Sequence, residues 1–76
     1  MTRVEIEYCV PCGLLERAED VQHALLSEHG QRLDAVALKT GDDGVFEVRV
    51  DGEDVYDKDA DEFDVDAISE RVGDRL

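Results

Sequence analysis

The sequence predicts one α/β domain over residues 1–76, with the element order β-α-β-β-β-α, a four-stranded mixed sheet and two helices on one face. Three observations predict this fold class. Residues 3–8 alternate polar and apolar side chains, as in a strand with one exposed face. Residues 14–25 change to the period of a helix. Two later alternating runs flank Asp51-Gly52, a strong short-range indication of a hairpin.

The first helix is predicted from apolar residues at helical spacing, which form one stripe: Leu14, Ala18, Val21 and Leu25, broadened by Leu15 and Leu26. We expect it to begin around Cys9 to Gly13 and to end near Gly30, because glycine often caps a helix C-terminus. A short apolar run at residues 33–38 predicts the second strand. A strand-helix-strand order implies a right-handed crossover, so these two strands should be parallel.

The hairpin is predicted together with its register. Its two strands are expected at residues 45–50 and 53–56, after a turn at residues 41–44. A two-residue turn at Asp51-Gly52 would place Val48 opposite Val55. It would also place Arg49 opposite Asp54, so apolar residues and opposite charges would both be matched. Phe46 and Val48 would then anchor the hairpin in the core.

The last element is predicted to be a helix that starts at about Asp64. Its apolar stripe consists of Val65, Ile68, Val72 and Leu76. Acidic residues lie in its first turn, and Arg71 and Arg75 lie near its end, which suits the helix dipole. Because each helix has one apolar stripe and the strands are polar at alternate residues, we expect one sheet face to stay exposed to solvent.

The charge of the chain excludes several classes of partner. There are 21 Asp and Glu residues against 8 Lys and Arg residues, a net charge of −13 that is spread along the sequence. Nucleic acids and anionic membranes are repelled by such a surface. No apolar run approaches the roughly 18 residues that a membrane span requires, and the amino terminus shows no targeting pattern. We therefore expect a soluble cytoplasmic monomer.

Both cysteines lie in Cys9-Val10-Pro11-Cys12, and three interpretations compete for them. A structural disulfide across so short a loop would contribute only about 2 kcal/mol through the entropy of the unfolded chain. A zinc site with His23 and His29 fails, because on a continuous helix they lie about 16 and 25 Å beyond Cys12. A carrier of a soft metal such as zinc or copper, with the two thiolates alone, stays open.

The third interpretation, a redox dithiol, is the favoured one. The pair is expected between the end of a strand and the start of a helix, where free amides and the helix dipole favour a thiolate. With Cys9 as the cap residue, the Cys12 amide could donate to its sulfur. One thiol can attack a disulfide and the other can resolve the mixed intermediate. The substrate would be a protein or a low-molecular-weight disulfide. The pair could instead switch a partner interaction without turnover.

Other motifs give no site. The acidic run Asp57, Asp59 and Asp61 resembles the start of a calcium loop, but Glu62 replaces the required glycine and Ile68 the bidentate glutamate. We expect a solvated loop there. The chain has no glycine-rich phosphate loop. We expect no cofactor, and no metal unless the soft-metal carrier is the correct interpretation of the cysteine pair.

Two segments of the chain resemble the selenoprotein W-like (Rdx) family. They are residues 4–13, VEIEYCVPCG, and residues 44–52, GVFEVRVDG, and the likeness extends over nearly the whole length. The resemblance implies a thioredoxin-like β-α-β-β-β-α fold. It also implies a thiol-disulfide or antioxidant role with a suggested link to glutathione, with Cys9 and Cys12 as the exchanging pair.

The resemblance also bears on which cysteine attacks. Where a family member has selenocysteine, it occupies the position of Cys12, so this chain would be a cysteine form. That position indicates Cys12 as the attacking residue, whereas the helix-cap argument indicates Cys9. Gly13 would let the backbone come close to the sulfurs. The cis-proline that thioredoxins place beside their dithiol is absent, since Pro11 is the only proline.

The acidic surface predicts a salt-loving, haloarchaeal host. Repulsion among so many carboxylates destabilises a small fold in dilute buffer, and molar salt shortens the Debye length to about 3 Å. We expect the thermal unfolding midpoint to rise between dilute buffer and molar KCl, as followed by circular dichroism. An unchanged midpoint would indicate an ordinary acidic protein.

Overall fold

The computed structural model describes residues 2–58 and 62–76 and has the predicted element order. The strands are β1 (Arg3–Cys9), β2 (Ala35–Gly41), β3 (Phe46–Val50) and β4 (Glu53–Asp57), and the helices are α1 (Leu15–His29) and α2 (Val65–Gly73). A short 3₁₀ helix, Gly30–Arg32, follows α1. Two residues of the candidate calcium loop, Asp59 and Asp61, lie outside the described residues.

The four strands form one mixed sheet in the order β2-β1-β3-β4. β1 is parallel to β2, as the crossover rule predicts, and antiparallel to β3. β3 and β4 form the antiparallel hairpin. β1 therefore has a hydrogen-bonded neighbour on each side.

The core lies between one face of the sheet and both helices. Alternate residues of β1 face it, namely Val4, Ile6 and Tyr8. The hairpin and the helices complete one buried cluster with Phe46, Val48, Val50, Tyr56, Ala18, Val21, Leu25, Ile68 and Val72. The prediction of a four-stranded mixed sheet with two helices on one face is confirmed, and so is the placement of Phe46 and Val48 in the core.

Helix α1 ends next to Gly30, as predicted, but begins later than expected. It begins at Leu15 rather than around Cys9 to Gly13. The proposed broadening of its apolar stripe is wrong, because Leu15 and Leu26 are 46% and 47% exposed. Each follows a stripe residue by one position, about 100° around the helix, and so points away from the sheet. At the other end, Gly30 keeps right-handed helical angles and starts the 3₁₀ helix.

The hairpin turn has the predicted two residues. Asp51 and Gly52 both have positive φ, 51° and 87°, which matches the twist of the flanking strands. Arg49 pairs with Asp54, as expected. A similar turn precedes β3, where the Val45 N–H donates to the Asp42 carbonyl.

Beyond the turn, a bulge in β4 at Val55 changes the register, so Val48 pairs with Tyr56. The predicted pairing of Val48 with Val55 is wrong. Without the extra residue, Tyr56 would lie opposite Glu47 on the exposed face. The bulge turns Tyr56 into the core, where it is 2% exposed and packs edge-on against Phe46 at 5.9 Å. Burial of a large aromatic side chain outweighs one disrupted ladder position.

Helix α2 follows the prediction closely. Asp64 is its cap residue, and the Asp64 carboxylate accepts a hydrogen bond from the Ala67 N–H at 3.2 Å. Ile68 and Val72 of its stripe are buried. The helix lies on the same sheet face as α1 and closes the core over the hairpin.

The exposed face of the sheet carries a group of charged side chains around Arg49. We call Arg49, Glu5, Glu7, Glu47 and Asp54 the Arg49 cluster. The guanidinium donates hydrogen bonds to Glu5 and Glu7, each at 2.8 Å, and to Glu47. It also forms an ion pair with Asp54 at 3.2 Å. The hydrogen bond to Glu7 raises the pKa of Arg49 above its already high ordinary value. One cation thus joins β1, β3 and β4.

We expect Arg49→Ala to lower the free energy of unfolding by about 2 kcal/mol, between the values typical of exposed and buried ion pairs. The loss arises because the carboxylates of the Arg49 cluster would be left facing one another. Arg75→Ala is the control, since Arg75 pairs with the exposed Glu53. It should cost about 0.5 kcal/mol or less. Urea unfolding measures both, and equal losses would contradict a central role for Arg49.

Candidate redox site

Cys9 and Cys12 form a disulfide at the C-terminal end of β1, with their Cα atoms 5.3 Å apart. The structure therefore brings together the two residues that the sequence selected. The bridge closes a loop between β1 and α1, and the protein is in its oxidised form.

Cys9 is fixed by both strands that flank β1. Its N–H donates to the Val45 carbonyl at 2.7 Å, and the next amide, of Val10, donates to the Gly41 carbonyl at 3.0 Å. Gly41 is also the register partner of Cys9 in β2. A Cβ on Gly41 would lie 2.7 Å from the Val45 side chain, so a larger residue would have to displace that side chain.

Residues 10–13 form a tight turn that carries the second cysteine. The Gly13 N–H donates to the Val10 carbonyl at 3.1 Å, with Pro11 at the turn position that favours proline. Gly13 has a φ of +75°, which glycine adopts at low cost. A Cβ there would meet no atom within 4 Å. The glycine is needed for its left-handed backbone.

The expected role of Cys9 as the cap residue of the first helix is wrong. Helix α1 starts at Leu15, and its cap residue is Leu14. Cys9 remains a strand residue because its backbone is bonded to both neighbouring strands. The chain then needs the turn at residues 10–13 before it can enter the helix. Helix amides therefore do not stabilise a thiolate at Cys9 in the manner that the spacing indicated.

The two cysteines differ most in their exposure. Cys9 is 0% exposed, whereas Cys12 lies on the exposed turn beside Val10, which is 50% exposed. Cys9 is not part of the main core cluster, because it follows Glu7 on the opposite face of β1. A molecule that approaches from solvent reaches Cys12 first.

The carboxylate of Glu7 lies at the Cys9 end of the exposed face. Its Oε1 atom accepts a hydrogen bond from Arg49 at 2.8 Å. Its Oε2 atom lies beside Gly41 of β2, only 3.0 Å from where a side chain at that residue would begin. The hydrogen bond from Arg49 lowers the pKa of Glu7 below its ordinary value of 4.5. Glu7 is therefore ionised at neutral pH.

The histidines do not approach the cysteines. His23 is exposed on α1, as expected, whereas His29 lies between the helices and contacts the Ser69 carbonyl at 3.0 Å. Within residues 2–58 and 62–76, no group of three or more His, Cys, Asp or Glu side chains is arranged to hold a metal ion. In the same part of the chain, neither helix has the length and apolar character to cross a membrane.

A four-stranded mixed sheet, two helices on one face and a C-x-x-C disulfide after the first strand define a thioredoxin-like protein. The family model described as the Rdx family matches residues 3–74, and the chain belongs to this family. The resemblance noted in the sequence is thus confirmed at the level of the family.

Two solved structures are similar over almost the whole chain. The first is a crystal structure of a protein from Bordetella parapertussis, with 35% sequence identity and a TM-score of 0.92; the match covers 99% of this chain and 98% of the Bordetella chain. The second is a crystal structure of a selenoprotein W-related protein from Vibrio cholerae, with 24% sequence identity and a TM-score of 0.89; the match covers 97% of this chain and 95% of the Vibrio chain. The second likeness concerns the fold alone. A search of curated proteins finds no significant match.

The lowered pKa of Glu7 predicts how stability depends on pH. The native state holds this carboxylate ionised, so its contribution is complete above its ordinary pKa of 4.5 and is lost as the pH falls through the lower native value. We expect Glu7→Gln to flatten the decline in stability between about pH 5 and pH 3. Glu53→Gln, at the exposed pair with Arg75, is the control and should leave that decline unchanged. Urea unfolding at several pH values gives both slopes, and identical slopes for the two variants would contradict the prediction.

Proposed function

We propose that this protein is a thiol-disulfide oxidoreductase in which Cys12 attacks the substrate and Cys9 completes the exchange. The observation that carries the proposal is the contrast between a buried Cys9 and an exposed Cys12. Membership of the Rdx family and the C-x-x-C disulfide support redox chemistry. We further propose that the protein acts as a monomer in a haloarchaeal cytoplasm, where salt screens its charge.

The reaction starts from the reduced protein. The Cys12 thiolate attacks one sulfur of a substrate disulfide, a new bond forms between that sulfur and Cys12, and the other substrate sulfur leaves as a thiolate that takes a proton from water. The Cys9 thiol then attacks the Cys12 sulfur, and its proton goes to the departing substrate sulfur. The protein gains a disulfide while one substrate disulfide becomes two thiols. A dithiol reductant returns the protein to its starting state.

The surroundings of Cys9 suit the second step. Its backbone is fixed by Val45 and Gly41, so it stays close to Cys12 while the outer cysteine is bound to substrate. Cys9 is buried, so solutes do not reach its sulfur and it does not react with them on its own. In the reduced protein Cys12 is then the one of the two thiols that is presented to solvent.

A redox-switched interaction module is the second candidate. The observation in its favour is that the disulfide closes the exposed turn at residues 10–13, so oxidation state determines the shape of this surface. The two functions differ in turnover. A switch would release or capture a partner once for each change of state and would not reduce disulfides repeatedly.

We expect Cys9→Ser and Cys12→Ser to fail in different ways. With an excess of a model disulfide, Cys9→Ser should accumulate a mixed disulfide at Cys12, because no second thiol remains to release the substrate. Cys12→Ser should form no such adduct and should show only the uncatalysed rate. Mass spectrometry of the intact protein detects the adduct, and a coupled assay with a dithiol reductant measures turnover.

The reverse pattern, with the adduct on Cys9, would contradict the assigned roles. A wild-type protein that becomes oxidised once but shows no turnover with any reductant would favour the interaction module.

A further inference from the structure

The described part of the chain exposes three large apolar side chains, and two of them lie next to Cys12. Val10 is 50% exposed and Leu15 is 46% exposed, while Leu26 lies farther along α1 at 47%. Val10 belongs to the same turn as Cys12, and Leu15 is the first residue of α1. At the reach of an extended chain, both Cα atoms are within about 11 Å of that of Cys12. A polypeptide bound to the Cys12 sulfur would therefore have both side chains within its reach.

The exposure of Val10 and Leu15 has no structural function in the fold. Leu15 lies outside the buried stripe of α1, and Val10 and Pro11 are exposed in the turn at residues 10–13. Polar residues at these points would leave the core unchanged. The position of Val10 and Leu15 beside the exposed Cys12 distinguishes them from Leu26, which lies farther along α1 at equal exposure. We call Val10, Pro11 and Leu15 the Cys12 patch.

The margin of the Cys12 patch is acidic. Asp42 and Asp43 are exposed just after Gly41, the residue paired with Cys9, and Glu16 is exposed directly after Leu15. Arg17, a basic residue in the first turn of α1, lies over the Phe63 ring at 5.0 Å. Together with the net charge of −13, this margin attracts cations and repels anions.

We propose that the Cys12 patch binds a polypeptide substrate whose disulfide is flanked by apolar and basic side chains. The apolar side chains contact Val10, Pro11 and Leu15, and the basic ones face the acidic margin. This inference rests on the function proposed above and assigns its substrate class. The bond changes are those already given, with Cys12 attacking the substrate disulfide. Small anionic disulfides such as glutathione disulfide lack both features and are poor substrates.

The test uses three peptides, in each of which one cysteine is joined to cysteamine by a disulfide. They differ only in the residues that flank this cysteine: leucine with arginine, serine with arginine, and leucine with glutamate. The reduced protein is mixed with each peptide in dilute buffer and in molar KCl, and the second-order rate constant is measured. 2-Hydroxyethyl disulfide, small and uncharged, serves as the reference substrate. We expect the leucine-arginine peptide to react fastest in dilute buffer. Molar salt should reduce the preference for arginine over glutamate without removing it, because direct contacts are shorter than or close to the Debye length of about 3 Å. It should keep the preference for leucine over serine.

Substitutions then locate the binding surface. For each variant we take the ratio of the rate constant for the leucine-arginine peptide to that for the reference substrate. We expect this ratio to fall about fivefold in Val10→Ser and in Leu15→Ser, because each loses one half-buried aliphatic contact. Leu26→Ser is the matched control, the same change at equal exposure on the same helix, and should leave that ratio unchanged. All three positions are exposed, so the variants should keep the thermal midpoint of the wild type.

Two outcomes would overturn the proposal, and they differ from failure of the oxidoreductase function. The first is that Leu15→Ser and Leu26→Ser give the same ratio of rate constants. The second is that the leucine-arginine and leucine-glutamate peptides react at the same rate in dilute buffer. Either result, with the reference substrate still reacting, would exclude the Cys12 patch as the substrate-binding surface. If the reference substrate also fails to react, the oxidoreductase proposal is wrong, and the substrate class falls with it.

Discussion

The pairing of β1 with a strand on each side is the constraint on which the other features depend. Because β1 is central, one set of its alternate residues must be apolar to meet the helices, and the other set must lie on the exposed face. Cys9 ends that second set, and the strands on both sides hold its backbone. A buried cysteine next to an exposed one follows directly, since the chain has to leave the sheet at this point.

The exposed face shows how an acidic protein tolerates carboxylates at the centre of a sheet. Glu5, Glu7 and Glu47 lie on adjacent strands, where they would repel one another. Arg49 lies among them and donates to all three, so a single guanidinium, with its fixed fork of donors, replaces several separate ion pairs. The same contact keeps Glu7 ionised at the end of the face that adjoins Cys9. Stability and the electrostatics of the redox site thus share one residue.

Local sequence patterns predicted the elements, their order and the parallel and antiparallel pairs, because periodicity and Asp51-Gly52 act over a few residues. They did not predict the bulge at Val55, which depends on where the Tyr56 ring finds space in the core. The start of α1 was misplaced for a similar reason, since the strand pairing of Cys9 is a long-range contact. The spacing of the cysteines selected the correct pair, but their unequal exposure is a property of the folded chain.

The bulge in β4 also affects how molecules meet one another. β4 forms one edge of the sheet, and such an edge offers unpaired backbone groups to any other chain. In dilute solution mutual repulsion keeps copies of so acidic a protein apart, but concentrated salt removes that protection. An edge strand with a bulge is a poor template for a further strand, because the extra residue interrupts its regular pattern of backbone hydrogen-bonding groups. The residue that brings an aromatic ring into the core therefore also makes this edge a poor site for pairing with a second copy of the chain.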